Sequence, residues 1–347
     1  MDIDNLVREN IKRLKPYTSA RDQFEKGILL DANENGLGSV VESKLELNRY
    51  PDPKHKEIKI HLSKITGAKS ENLFIGVGSD EIIDLMIRIF CEPTVDNLLI
   101  LEPTYGMYKV SADINNVHAI SANLSPDFQI DFAEIDSKIK SNTKLIFLCS
   151  PNNPTGNLLR VDDIRKLCQY QKSIIVVDEA YIDFTPEGSV LELIGEHTNL
   201  VVMRTLSKAW GLAGIRAGYC AADPLIINYL YKVKAPYNLN KLTGRTIISA
   251  LNNKEQMEKF RFIIVEERKR FVNAISNLPG VIKIFPSDAN FLLVKFSDAN
   301  TVFNKLIEKN IIIRNRSNML GLENCLRITI GNKSENDQLI NALKEIL

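Results

Sequence analysis

Between residues 72 and 205 the chain alternates short apolar runs with stretches whose apolar residues recur at helical spacing. The runs NLFIGVG, NLLILE, HAISAN, KLIFLCS, SIIVVDE and NLVVMRT are rich in β-branched and aliphatic residues and have strand length. Between them, SDEIIDLMIRIF and DDIRKLCQYQK carry the apolar stripe of an amphipathic helix. Strands that are apolar throughout, separated by helices, predict a mostly parallel sheet covered on both faces. After residue 240 the texture changes. A long charged helix, EQMEKFRFIIVEERKRFVNAISNL, leads into VIKIF, NFLLVKF, IIIRN and LRITIG, with helices at TVFNKLIEK and at the C-terminus. This predicts a second, smaller α+β unit. The domain reading is an N-terminal segment, 1–45, packing with the small domain, a large domain over 46–250 and the small domain over 251–347.

Composition removes several alternatives. A chain of 347 residues buries a sizeable core, and 44 basic against 43 acidic side chains gives a net charge of +1, so nothing favours nucleic acid or an acidic membrane surface. The start, MDIDNLVREN, lacks a basic segment followed by an apolar one, and the apolar runs are too short to span a bilayer, so a soluble, cytoplasmic protein is expected. Five scattered cysteines, none in CxxC spacing, are expected to be buried and reduced. The four histidines form no HxxxH or HExxH pair, which leaves neither a metal site nor a histidine-assisted nucleophile.

Chemistry in a parallel sheet gathers beyond the carboxyl ends of the strands. There the sequence places GVGSDE, a turn opening onto a helix whose free N–H groups suit an anion. It also places PNNPTG, whose prolines stiffen a loop carrying the amide of Asn153, and DEAY, which puts the carboxylate of Asp178 at the end of an apolar strand. Each alone also reads as an ordinary turn or cap. The stretch TLSKAWGLAGIRAGY adds the amine of Lys208 and, eight positions on, the guanidinium of Arg216, beside the hydroxyls of Thr205 and Ser207. An amine that condenses with an aldehyde, an arginine that clamps a phosphate and a carboxylate that keeps a ring nitrogen protonated together match one cofactor, pyridoxal 5′-phosphate.

In order and spacing, GVGSDE, PTYGMY, PNNPTG, DEAY and SKAWGLAGIRAGY resemble the motifs of the fold-type I pyridoxal-phosphate-dependent aminotransferases, and the resemblance covers nearly the whole chain. LVRENIKRLKPYTSAR, DANENG, NRYPDP and the pair IIIRN and LRITIG are similar to segments of one branch, whose members exchange an amino group between glutamate and a phosphate monoester. The resemblance implies that Lys208 joins the cofactor, Asp178 partners its ring nitrogen, Asn153 and Tyr181 donate to its ring oxygen, and Tyr105 stacks on its face. Ser79, Asp80, Glu81, Thr205, Ser207 and Arg216 would cradle the phosphate. Tyr50 would reach it from a neighbouring subunit, which implies a homodimer with shared sites. Tyr17, Asn33, Arg314 and Arg327 would line the substrate pocket, with Arg327 gripping the substrate anion.

Two departures stand out. NENGLG has Gly36 and Leu37 where the family usually has a proline and often an aromatic, and Trp210 replaces a common phenylalanine in a position that reads as packing. The alternatives are an aromatic amino acid aminotransferase, a lyase of the threonine-phosphate decarboxylase type on the same cofactor, a cofactor-sensing regulator, for which the chain has no DNA-binding segment, and a plain nucleotide-binding α/β protein.

Overall fold

The computed structural model describes residues 2–24 and 26–347. Seven strands form the larger sheet: β1 Leu73–Gly76, β2 Asn97–Glu102, β3 His118–Asn123, β4 Thr143–Cys149, β5 Ile174–Asp178, β6 Leu200–Thr205 and β7 Gly218–Ala222. Their order is β1-β7-β6-β5-β4-β2-β3. The run from β3 to β6 is parallel, and β7 is antiparallel to both of its neighbours, so the sheet is mixed but mostly parallel, as expected.

Alternation explains why the strand sequences are apolar throughout. Along β4, Leu145 and Phe147 enter one apolar layer while Ile146 and Leu148 enter the other, so both faces are buried under helices. β7 is the strand that the pattern missed. Its sequence GYCAA has weak strand propensity, and it holds its place because small residues fit between β1 and β6. A Cβ added at Gly218 would lie 2.5 Å from the Ser79 backbone nitrogen, so only glycine lets the strand pass the turn before the helix Gly78–Phe90.

The smaller sheet is antiparallel, in the order β10-β11-β9-β8, from β8 Val281–Ile284, β9 Phe291–Phe296, β10 Arg314–Asn315 and β11 Cys325–Thr329. One face meets the helices Lys254–Ile275, Ala299–Glu308 and Lys333–Ile346 through Phe271, Leu292, Val294, Leu326, Ile328 and Leu343. The other face turns toward the larger sheet: Phe291 packs with Tyr181 and Phe184.

The first residues correct one expectation. Ile3, Val7 and Ile11 lie in the core of the large sheet's helical layer rather than against the small sheet. Their spacing makes one stripe that seats on the helix Gly78–Phe90, where the Arg8 backbone N–H donates to Ile89 at 3.0 Å and its side chain pairs with Glu92 at 2.9 Å. All five cysteines are free and buried. Among the described residues no helix is long and apolar enough to cross a membrane.

Candidate active site

The site forms where β4, β5 and β6 end side by side. Register aligns Cys149 with Asp178 and Asp178 with Met203, so the carboxylate stands at the centre of the sheet's carboxyl edge. A cavity opens there, lined by Ser79, Asp80, Tyr105, Cys149, Asn153, Asp178, Ala180, Tyr181, Thr205, Ser207, Lys208 and Arg216.

Asp178 is buried, and burial pushes its carboxyl up to about 6, against the pull of two donors. These are the Tyr108 hydroxyl at 2.8 Å on Oδ2 and the Ala180 backbone N–H at 3.0 Å on Oδ1. A buried carboxylate held this way is poised to take a cation. Lys208 lies across the cavity with Nζ 5.5 Å from the centre of the Tyr181 ring. Burial and the nearby Arg327 lower its pKa, while Asp178 works in the opposite direction, so the amine is easier to deprotonate than a surface lysine. Burial raises the Tyr181 hydroxyl and keeps it neutral, and Asn153 donates to it at 3.3 Å.

At the other end of the cavity Thr205 Oγ1 and Ser207 Oγ are 3.0 Å apart, and the Arg216 guanidinium approaches Ser207 at 3.4 Å. Arg216 takes a left-handed backbone, φ 51°, which turns its side chain back over the turn at Gly78. A Cβ on Gly78 would stand 3.0 Å from that guanidinium. Hydroxyls, a guanidinium and a bare turn at a helix N-terminus form a donor set for a phosphate. The Asp80 carboxylate also accepts from Arg216 at 3.2 Å and from Tyr105 at 3.3 Å, fixing both. With Lys208 at one end, Asp178 at the centre and this cradle beside them, the residues fit pyridoxal 5′-phosphate.

The Glu81 side chain does not line the cavity. Its carboxylate accepts from the Val77 backbone N–H and from Asn238 at 3.0 Å, closing the turn from behind. Arg327 reaches the cavity through Asn153, whose Oδ1 accepts from it, and lies 5.2 Å over the Phe291 ring. Arg314 sits directly opposite Arg327 in the β10–β11 pairing, at an exposed edge. Within one chain the remaining expected residues stand apart from Lys208. Tyr50 stacks on Tyr237 at 4.3 Å and shares a separate cleft with Asn33. Tyr17 is 76% exposed at the rim of another.

Sequence reasoning missed Tyr108 and Glu34. Tyr108 stands three residues after Tyr105 in PTYGMY, the helical spacing that carried the signal. Glu34, in DANENG, binds Arg21 at 3.1 Å, Arg49 at 2.8 Å and the Tyr50 backbone N–H at 2.7 Å, tying two loops together. Trp210 packs as expected and also donates to Asp183 at 3.1 Å.

A lysine, a buried carboxylate and an arginine on the carboxyl edge of this mixed sheet, with a small antiparallel domain beside it, define the fold-type I class. Residues 21–343 match aminotransferases of class I and II, and the chain belongs to that family. It is 47% identical over 351 residues to the histidinol-phosphate aminotransferase of Flavobacterium psychrophilum, covering 99% of each chain. Among solved structures, it resembles the histidinol-phosphate aminotransferase from Clostridium acetobutylicum with a TM-score of 0.79 and 27% identity, over 86% of this chain and 91% of that one. The same fold, with a TM-score of 0.79 at 23% identity, covering 91% of this chain and 89% of that one, occurs in the Sinorhizobium meliloti histidinol-phosphate aminotransferase, solved in complex with pyridoxal-5′-phosphate.

Proposed function

We propose that this chain is a pyridoxal 5′-phosphate-dependent aminotransferase that exchanges an amino group between histidinol phosphate and 2-oxoglutarate, giving imidazole acetol phosphate and glutamate. In histidine biosynthesis the reaction runs the other way. The observation that carries the reading is the convergence of Lys208, Asp178 and Arg216 on one cavity. The 47% identity to a full-length relative of that name supports the substrate.

When bound, pyridoxal 5′-phosphate supplies an aldehyde carbon for amine exchange and a protonated ring that takes up electrons. The chain supplies the rest. Asp178 would hold the ring-nitrogen proton, Asn153 and Tyr181 would donate to the ring oxygen, Tyr105 would cover one face, and Ser79, Thr205, Ser207 and Arg216 would receive the phosphate. Asp80 keeps Arg216 and Tyr105 in place. Lys208 Nζ would take the α-proton from the amino substrate and hold it for return, a role that its lowered pKa favours. Arg327 binds the substrate anion and orients the α-carbon. Glutamate and histidinol phosphate each carry an anion that a guanidinium grips. We also place the protein in the cytoplasm as a homodimer, in which Tyr50 of one copy completes the phosphate cradle of the other.

The test is a steady-state comparison of histidinol phosphate and phenylalanine, each with 2-oxoglutarate, with glutamate as the readout. Histidinol phosphate should be preferred, and borohydride treatment of the loaded enzyme should leave a phosphopyridoxyl label on residue 208. Preference for phenylalanine, or carbon dioxide released from threonine phosphate without a glutamate requirement, would replace the reading with one of its alternatives.

A further inference from the structure

Three buried polar atoms of the small domain have no hydrogen-bond partner: Arg316 Nε, Ser317 Oγ and Arg327 Nε. The strand pairing explains why the two arginines meet. β10 is an edge strand paired antiparallel with β11, with Arg314 opposite Arg327. The ladder continues past β10, because the Arg316 backbone N–H donates to the Cys325 carbonyl at 2.9 Å. Residues 314 and 316 therefore share a face with 325 and 327. It is the face opposite Leu326 and Ile328, which enter the small domain's core, and Arg327 on it contacts Asn153.

Three guanidiniums thus stand on one face, and among the described residues none of them forms an ion pair with a carboxylate. Burial lowers the pKa of Arg316, and the charges of Arg327 and Arg314 add to the effect. Arg327 is pushed the same way by burial and by Arg314. Cations that are partly desolvated and mutually repelling are costly unless an anion joins them. Two other buried arginines have acids of their own: Arg204 has Glu179 at 2.8 Å and Arg21 has Asp31 at 2.8 Å. Among the described residues none of Arg314, Arg316 and Arg327 has an acid of its own, so an anion that joins all three comes from outside the chain. One carboxylate offers two oxygens, which a single guanidinium satisfies, whereas a phosphate dianion offers three and suits several donors.

We infer that Arg316 is a specificity-determining contact for the phosphate monoester of the amine substrate, completing a three-guanidinium anion subsite with Arg314 and Arg327. The inference rests on the aminotransferase reading for the identity of the anion as a substrate phosphate. Its physical content, a phosphate subsite at Arg316, stands apart from turnover.

The experiment compares wild-type, Arg316→Gln and Arg316→Lys holoenzymes. In Arg316→Gln the KM for histidinol phosphate should rise about tenfold or more, the loss of one charge-assisted contact, with a smaller rise for glutamate and a smaller change in kcat. Arg316→Lys should fall between, since it keeps the charge and loses the fork. Calorimetric titration with inorganic phosphate should show binding to the wild-type holoenzyme, weakened by a similar factor in Arg316→Gln. Unfolding temperature and cofactor content should match the wild type. An unchanged phosphate affinity in Arg316→Gln, or a wild type that binds no phosphate, overturns the inference. So does an equal loss for both substrates with a lowered unfolding temperature, which marks a purely structural side chain. If the wild type binds phosphate through Arg316 but does not turn over histidinol phosphate, the subsite stands and the functional reading falls.

Discussion

The hydroxyl of Tyr108 donates to Oδ2 of Asp178 across 2.8 Å, and both side chains are buried. Tyr108 is fixed from behind by stacking on Phe147, ring centres 4.9 Å apart and planes 16° off parallel. The bond stabilises the charged carboxylate, the form that can hold a protonated ring nitrogen. Tyr108→Phe keeps the stack and removes the donor. It should weaken pyridoxal 5′-phosphate binding by about tenfold and lower folding stability by about 1–3 kcal/mol, the range for a hydrogen bond to a charged group. Fluorescence titration of the apoprotein with the cofactor measures the first effect, and urea unfolding the second. Wild-type affinity in Tyr108→Phe would remove Tyr108 from the cofactor machinery.

The same carboxyl sets a pH dependence for the apoprotein. Burial pushes Asp178 up to about 6 from an ordinary 3.8. The folded state therefore holds this proton more tightly than the unfolded chain, so the group stabilises the fold below pH 4 and loses that contribution as pH rises through about 6. A shift of about 2 units corresponds to about 3 kcal/mol. In urea unfolding of apoprotein, Asp178→Asn should flatten the change between pH 4 and 8 and be more stable than its parent at pH 8. In the loaded enzyme the same substitution should lose most of the rate, because nothing then holds the ring nitrogen charged. A parent apoprotein whose stability does not fall across this window would contradict the burial argument.

Directly after Asp178, Glu179 turns to the other side of the sheet and meets Arg204 at 2.8 Å, both largely buried. Its second oxygen accepts from the Val190 backbone N–H at 2.7 Å, and Ser189 bridges the pair, donating to Glu179 at 3.0 Å and accepting from Arg204 at 2.6 Å. The network locks the ends of β5 and β6, from which Asp178 and Thr205 project. Arg204→Met leaves a buried carboxylate unpaired and should cost about 3–5 kcal/mol. Adding Glu179→Leu should recover part of that loss, because the stranded charge is then gone. A double-mutant cycle in urea reads the coupling, and strict additivity would show that the two side chains do not act as a unit.

The sequence made the strand ends readable because an apolar run that stops at a carboxylate or an asparagine amide leaves few structural explanations. Asp178, Asn153 and Lys208 stood out for that reason, and they meet in one cavity. Partners distant in the chain were harder to see. Tyr108 and Asp178 are 70 residues apart, and no local pattern announces their bond. Glu81 showed the reverse limit: its place in GVGSDE suggested the cradle, yet helix geometry turns it toward Asn238 while Ser79 and Asp80 face the cavity. β7 escaped notice because its glycine and alanines are chosen for close approach, not for strand propensity. Arg316 was visible as a residue but not as a site, since only the register of β10 on β11 puts it beside Arg327.

Arg327 ties the two domains chemically, because its guanidinium donates to Asn153 on the β4 loop while its ring partner, Phe291, packs against Tyr181. Arg327→Ala should therefore harm two things at once: the grip on both substrates' anions, and the orientation of Asn153. Turnover of glutamate and of histidinol phosphate should each fall by about a hundredfold or more in kcat/KM, as expected for loss of a bidentate charged contact. Normal handling of both substrates would show that the anion pocket lies elsewhere.

Tyr50 sits away from Lys208 within one chain, stacked on Tyr237 at 4.3 Å and partly exposed. Glu34 holds its backbone at 2.7 Å, so the side chain is presented from a braced loop rather than a loose one. If a second copy receives this side chain, the two active sites each need residues from both chains. Lys208→Ala and Tyr50→Ala damage different halves of that arrangement. In a hybrid dimer, the site with an intact lysine also receives an intact tyrosine, because the tyrosine comes from the Lys208→Ala chain. Unfolding and refolding the two variants together should therefore give more activity than the sum of the two refolded alone, and sedimentation should give twice the chain mass. Activity equal to that sum, with dimers present, would show that Tyr50 serves its own subunit. A monomer would exclude sharing altogether.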